Sequence, residues 1–400
     1  MGFIKKAKSF GWLMLIPLAA LLCYLLAVKI VNVIDYHNND YFTFYLAGHL
    51  VTQGADPYST EQWLAGHEQF GVTWIPNPAF VYPLPLSLLF APLGLLPLYR
   101  SYVLWVALSE GMILISIFLT LKLDKTPITR HLFLPLLAGV ILFRPTILTL
   151  VNGQLAAWLL FLLTCIALLW VQGKWEWGSL LLPLLALKPN IGAPILLLLA
   201  VWLWAGKRYK SLLALGLGGI LLLTAGMIQN PDWPIEYWNI GSTKLAHDFG
   251  FSPTVWGLAS LACDFQKPCS LAAGGTATAL LTFTALWLLV RYRTLITPLA
   301  AVSLSTLVTL LITPYTWPYD QLLLLLPIAA VVFSLAKHKG GFLPATIFFL
   351  GIDLLTIILL FFSAALEIEI LNAFVPLTVL VLLLWRLFQR EQISESKAKN

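Results

Sequence analysis

GSLLLPLLALKPNIGAPILLLLAVWLWAG, residues 178–206, decides the fold of this chain. It holds a single charge, Lys188, in an otherwise apolar run. A helix crosses the hydrocarbon core of a bilayer in about 20 residues, so one crossing is the first reading. That reading carries Lys207, Arg208 and Lys210 to the outer side, against the rule that basic residues collect in cytoplasmic loops. A break at Lys188-Pro189-Asn190 makes two pieces, 178–188 and 190–206, and returns the cluster inside. The first piece rises only about 15 Å and cannot cross alone. Lys188 then sits below the outer surface. Lipid does not tolerate a bare ammonium there, so a wet, protein-lined cavity must reach it.

The rest of the chain is of the same kind. Of its 400 residues 60% are hydrophobic and 10% charged, against about 45–50% apolar and about 25% charged in a soluble domain. A soluble fold cannot hide that excess. Disordered, collagenous, coiled-coil and soluble enzyme classes are excluded, and no 10-residue alternation of the barrel type occurs. The predicted fold is an all-α polytopic membrane protein with about twelve spans. They are placed at 11–31, 101–122, 131–150, 154–172, 178–188, 190–206, 211–229, 271–290, 295–313, 320–336, 341–363 and 370–388.

This placement puts seven basic clusters on one side. They are Lys5/Lys6/Lys8, Lys122/Lys125/Arg130, Lys174, Lys207/Arg208/Lys210, Arg291/Arg293, Lys337/Lys339 and Arg386/Arg390/Lys397/Lys399. Both termini are then cytoplasmic and the net charge of +6 is explained. Residues 1–390 read as one integral-membrane domain and 391–400 as a polar cytoplasmic tail. The large outer loops are 32–100 and 230–270. Within the first, the proline-rich segment 79–98 is read as re-entrant or interfacial, because a straight crossing would carry Lys122/Lys125/Arg130 outside.

Five features carry possible chemistry. Asn39-Asp40 caps a predicted interfacial helix, Tyr41 to Val51, with Gly54 as its stop. Asp40 then stands at a helix start facing the cavity; the plainer reading is an N-cap. Segment 79–98 is the second feature. Arg144 and Lys188 are the third: each is a cation in an apolar segment beside a proline, and such charges mark function by default. Together they suit a phosphate; the competing reading is ion pairing with Glu110 or Asp353. Asn152-Gly153-Gln154 and Thr313–Asp320 are the fourth and fifth, polar and aromatic turns fit to line a sugar site. Cys263 and Cys269 flank a short outer segment and form a candidate disulfide.

In order, these pieces resemble glycosyltransferase family 87, of the GT-C class of membrane transferases. The pattern is Asp40, Tyr45, Gly54 and Pro57-Tyr58; then Phe80-Val81-Tyr82-Pro83-Leu84-Pro85 and Ala91-Pro92-Leu93; then Gly153-Gln154, Lys188-Pro189 and Pro314-Tyr315-Thr316-Trp317. It covers roughly residues 11–336. Many relatives carry His after that Trp, where this chain has Pro318-Tyr319. The resemblance implies a polyprenyl-phosphate sugar donor, often mannose, used at the non-cytoplasmic face, with Asp40 as base.

The implied enzyme is a plasma-membrane hexosyltransferase whose site faces the periplasm or exterior. Its partners are the lipid-linked donor, a lipid or glycan acceptor and membrane lipid, with no nucleic acid. Arg144 and Lys188 are expected on the donor phosphate. Tyr45, Tyr82, Asn152, Gln154, Trp317, Tyr319 and Asp320 are expected on the sugar or acceptor. No D-x-D pair stands in the outer loops, so neither metal nor cofactor is required. A transporter or lipid flippase is the alternative, because broken helices with buried charges also mark transport sites.

Overall fold

The computed structural model describes residues 2–123, 137–336 and 342–399. Lys125, Arg130, Lys337, Lys339 and the start of the span proposed at 131–150 lie outside them. The fold is all-helical, 79% helix with no strand among the described residues. The first half runs α1 (Gly2–Val31), α2 (Asp40–Thr52), α3 (Thr60–Gln69), α4 (Leu84–Gly94), α5 (Leu98–Thr120), α6 (Arg144–Val151), α7 (Ala156–Val171) and α8 (Trp175–Leu181). The second runs α9 (Pro189–Ala205), α10 (Tyr209–Gln229), α11 (Trp233–Asp248), α12 (Val255–Ala262), α13 (Lys267–Arg291), α14 (Pro298–Ile312), α15 (Leu325–Ala336), α16 (Phe342–Leu366) and α17 (Phe374–Lys399). Short 3-10 turns over Leu182–Leu187 and Pro318–Leu324 lead into α9 and α15.

Among the described residues, six helical segments are long and apolar enough to cross a membrane, or seven if α6 and α7, bent by 119°, form one span. Other apolar helices, α9 and α14 among them, are 10–17 residues long. Helix occupies every proposed span that the described residues include. The described residues thus show six or seven crossings, fewer than the expected twelve. Prolines stand at the starts of α6, α9 and α14, and at α9 a new helix begins at Pro189 where one continuous helix over 178–206 was the first reading.

The first outer loop differs from its sequence reading. The Asn39 side chain does cap α2, accepting from the Tyr41 amide at 3.1 Å, and Gly54 follows the helix at φ +71°. But protein covers most of α2. Its aromatic residues Tyr41, Phe44 and Tyr45 are buried with most of the helix. Glycine explains this. A Cβ on Gly48 would stand 2.5 Å from the Phe90 carbonyl oxygen, and one on Gly94 would stand 2.4 Å from the His49 nitrogen. The backbones of α2 and α4 therefore touch, and α4, at eleven residues, is too short to cross.

Cys263 and Cys269 are joined as a disulfide, with Cα atoms 5.8 Å apart. Gly218 of α10 packs on the Leu180 carbonyl of α8, where a Cβ would come within 2.3 Å. That fits close helix packing.

Replacing Gly48 or Gly94 by Ala has to push α2 off α4. Overpacking of this kind costs about 1–3 kcal/mol. A lowered thermal midpoint in detergent is expected for each, and an unchanged midpoint would refute the backbone contact.

Candidate active site

Four pieces of non-regular backbone meet around one buried ion pair. The first is the break before α9. There the 3-10 turn ends at Lys188, whose carbonyl accepts from the amides of Ile191 and Gly192. Gly192 is required: a Cβ would lie 1.9 Å from the Leu185 carbonyl oxygen. The turn and the first coil of α9 thus press together and aim Lys188 inward, where it is 2% exposed.

Its ammonium binds Asp320 in a short ion pair and donates to Gln154 Oε1 at 3.2 Å. The Tyr319 ring lies 4.9 Å from it. Asp320 lies in the first turn of Pro318–Leu324 and is itself buried. Its second oxygen accepts from Thr316 Oγ1 at 2.9 Å and the Trp317 amide at 3.2 Å.

Gln154 completes the connection. Its amide Nε2 donates to Asp40 Oδ2 at 2.7 Å. The turn that carries it is pinned from several sides. Trp105 Nε1 donates to the Gly153 carbonyl at 2.8 Å. The Val151 carbonyl accepts from Asn39 Nδ2 at 2.9 Å and from the Tyr102 hydroxyl at 2.6 Å. Gly153 has φ +58° and stands against Tyr41 and Tyr102, 2.7 Å from each for an added Cβ. The result is a chain Asp40–Gln154–Lys188–Asp320–Thr316. Asp40 lies in the first turn of α2, where a helix dipole favours a carboxylate.

Beside this chain is a cavity of about 400 Å³, lined by Tyr82, Asn190, Pro194, Tyr237, Trp238 and Tyr315 among others. Asn190 donates to the Tyr315 carbonyl at 2.6 Å. Burial first, then the neighbouring Tyr315, Asp40 and Asp320, push the Tyr82 phenol well above its ordinary value. It therefore stays protonated and offers an O–H donor.

Several residues predicted for the site are elsewhere. Arg144 forks onto Glu369 at 2.7 and 3.1 Å and donates to Asn372 at 3.1 Å. It stands at the start of α6, about 10 Å along that helix from the Val151 carbonyl. Both cations thus have carboxylate partners where a phosphate was expected. Those partners are Glu369 and Asp320, and neither Glu110 nor Asp353 enters an ion pair among the described residues. Tyr45 donates to the Leu96 carbonyl at 3.0 Å, inside the α2–α4 packing. Asn152 bonds back to Leu148 as a helix end. Trp317 meets the cluster through its backbone amide, and its ring stands edge-on to Tyr315.

Asn39, Tyr102 and Trp105 support the chain without being among its expected site residues. Asn39 had a sequence cue in its place beside Asp40, and Thr316 one in its place within the Thr313–Asp320 turn. Tyr102 and Trp105 look like ordinary span residues until Val151 and Gly153 arrive from the next segment.

Removing one member of a buried pair costs about 3–5 kcal/mol, because the other charge is stranded. Lys188→Met is expected to lose that much stability. Lys188→Met/Asp320→Leu is expected to regain most of it. Thermal unfolding of the three proteins checks this, and a double variant as unstable as the single one would refute the pairing.

Comparison with known families matches residues 80–314, more than half of the chain, to glycosyltransferase family 87. The matched stretch includes Tyr82, Gln154 and Lys188, while Asp320 lies just after it and Asp40 well before it. No curated protein and no solved structure matches the chain. The helical membrane architecture and the family match agree: the chain belongs to glycosyltransferase family 87.

Proposed function

We propose that this membrane glycosyltransferase moves a hexose, with mannose the leading choice, from a polyprenyl-phosphate sugar. The acceptor is a hydroxyl of a lipid-linked or cell-envelope glycan at the non-cytoplasmic face of the plasma membrane. Asp40 is the base and the anomeric centre inverts. The observation that carries this reading is the Asp40 carboxylate, held by Gln154 against the Lys188–Asp320 pair beside an aromatic cavity.

Asp40 accepts the proton of the acceptor hydroxyl. The freed oxygen bonds to the anomeric carbon, and the bond from that carbon to the phosphate oxygen breaks. The electron pair leaves with polyprenyl phosphate. A glycosidase needs a second carboxyl to protonate its leaving alkoxide. A phosphate with a second pKa of about 6 leaves as an anion without that help.

The structure also suggests roles for the neighbours. Lys188 is buried and matched by Asp320, so it is assigned to positioning rather than to the donor phosphate. Lys188 has only N–H donors, so Gln154 must turn its carbonyl to Lys188 and its NH2 to Asp40. Tyr82, Tyr237 and Tyr315 are assigned to the sugar, which aromatic faces suit. Arg144, bonded to Glu369 and Asn372, is assigned to holding α6 against residues 369–372.

Asp40→Asn is expected to lower transfer by about 10²–10⁴-fold, the usual share of a general base, with donor binding and thermal midpoint unchanged. Reconstitution with radiolabelled polyprenyl-phosphate mannose reads the product. Undiminished transfer by the variant would end the assignment, and donor movement across the bilayer without product would favour a flippase. Gln154→Leu removes the amide bond that holds the Asp40 carboxylate in place. A lower kcat with donor binding unchanged is expected, and an unchanged kcat would remove Gln154 from this role.

A further inference from the structure

The opposite end of the bundle holds a second built cavity. Gln154 and Lys188 precede α7 and α9, and these helices run about 24 and 25 Å to their other ends. There a cavity of about 560 Å³ is lined by Trp175, Trp202, Lys207, Arg208, Arg293 and Thr297 among others. A neighbouring cavity of about 480 Å³ shares Trp175 and Thr297 and adds Arg386.

Its walls are arranged. Trp170, Trp175 and Trp202 form a three-ring cluster with centroids 5.6–5.8 Å apart. The Arg208 guanidinium lies 4.0 Å over the Trp175 ring. A guanidinium stacked by its face keeps its N–H donors in its own plane. Lys207 has φ +56°, a region that residues other than glycine seldom enter. Gly206 stands one position too early to relieve it. Lys207, Arg208 and Arg293 enter no ion pair among the described residues.

Charges that serve only to keep an end of the bundle in the cytoplasm need no cavity, no stacked guanidinium and no strained backbone. We propose that this cavity binds a phosphate group, with Arg208, Lys207 and Arg293 around its oxygens. Trp175 and Trp202 provide an apolar wall for whatever the phosphate is attached to. A planar donor fork beside an ammonium suits phosphate recognition. The phosphate can belong to an anionic phospholipid of the adjoining leaflet or to a soluble phosphate compound. This site is separate from the transfer chemistry, and its test reads binding alone.

The full-length protein is reconstituted with phosphatidylcholine and phosphatidylglycerol and analysed by native mass spectrometry. Retained phosphatidylglycerol is expected. Arg208→Gln/Arg293→Gln is expected to weaken retention roughly thirtyfold, equivalent to about 1 kcal/mol per basic side chain near an anionic surface. Arg208→Lys keeps the charge without the fork and is expected to fall between. Arg291→Gln alters a cation outside the cavity, exposed like Arg208 and Arg293, and is expected to retain lipid as the parent does. Displacement of the lipid by millimolar inorganic phosphate identifies a soluble phosphate ligand, and resistance to it identifies the lipid. Equal retention in the double variant overturns the proposal, as does equal loss in Arg291→Gln.

Discussion

Lys188 and Asp320 meet with side-chain exposures of 3% and 1%, and charges that far from water persist only while each keeps the other. Everything nearby follows from that requirement. A straight helix through 178–206 would present Lys188 at one fixed angle. The 3-10 turn, Pro189 and Gly192 instead set the ammonium where the Thr313–Asp320 turn can reach it. Asp320 in turn takes Thr316 Oγ1 and the Trp317 amide, which leaves its carboxylate well bonded. A buried pair stabilises a fold only when such further bonds satisfy it.

The same pair gives direction to the rest of the chain of bonds. A glutamine amide can ordinarily flip, since its two ends are close in shape. At Gln154 it cannot do so without placing N–H against N–H at Lys188. The bond to Asp40 is therefore polar in one sense only, with the amide donating and the carboxylate accepting. Such a bond favours the ionised form of an acid, the form that a base needs. In the proposed reaction the distant lysine thus acts on Asp40 through an intervening amide.

The cations were legible in the sequence and their partners were not. Lys188 stands out because one charge in a long apolar run has to be explained, and the break there follows from charge placement alone. Asp320 is 132 residues away and Glu369 is 225 residues from Arg144. Periodicity and spacing do not reach across such separations. In sequence the two cations favoured a phosphate, and the competing ion pairs were with Glu110 and Asp353, carboxylates that also lie in apolar segments. The first loop shows a second limit. An aromatic, capped helix after a span reads as interfacial, and only the approach of α4 to Gly48 reveals that it is covered. Gln154 was legible as a polar turn residue, but Tyr102 and Trp105, which hold the turn, carry no local signal.

Irregular backbone is expensive in an apolar solvent, because each unpaired amide or carbonyl there loses several kcal/mol. The turns that form the site answer this by bonding to one another. Asn39 and Tyr102 take the Val151 carbonyl, Thr149 takes the Tyr319 carbonyl, and Asn190 takes the Tyr315 carbonyl. Each bond satisfies a backbone group that helix geometry cannot, and each also ties one helix end to another. Gathering the helix ends therefore serves two needs. It hides broken backbone from lipid, and it fixes Asp40, Gln154, Lys188 and Asp320 relative to one another. The long, lightly covered helices α10 and α13 need neither and carry no part of the cluster. A site built from mutually capped helix ends is accordingly the cheapest place in such a bundle for polar chemistry.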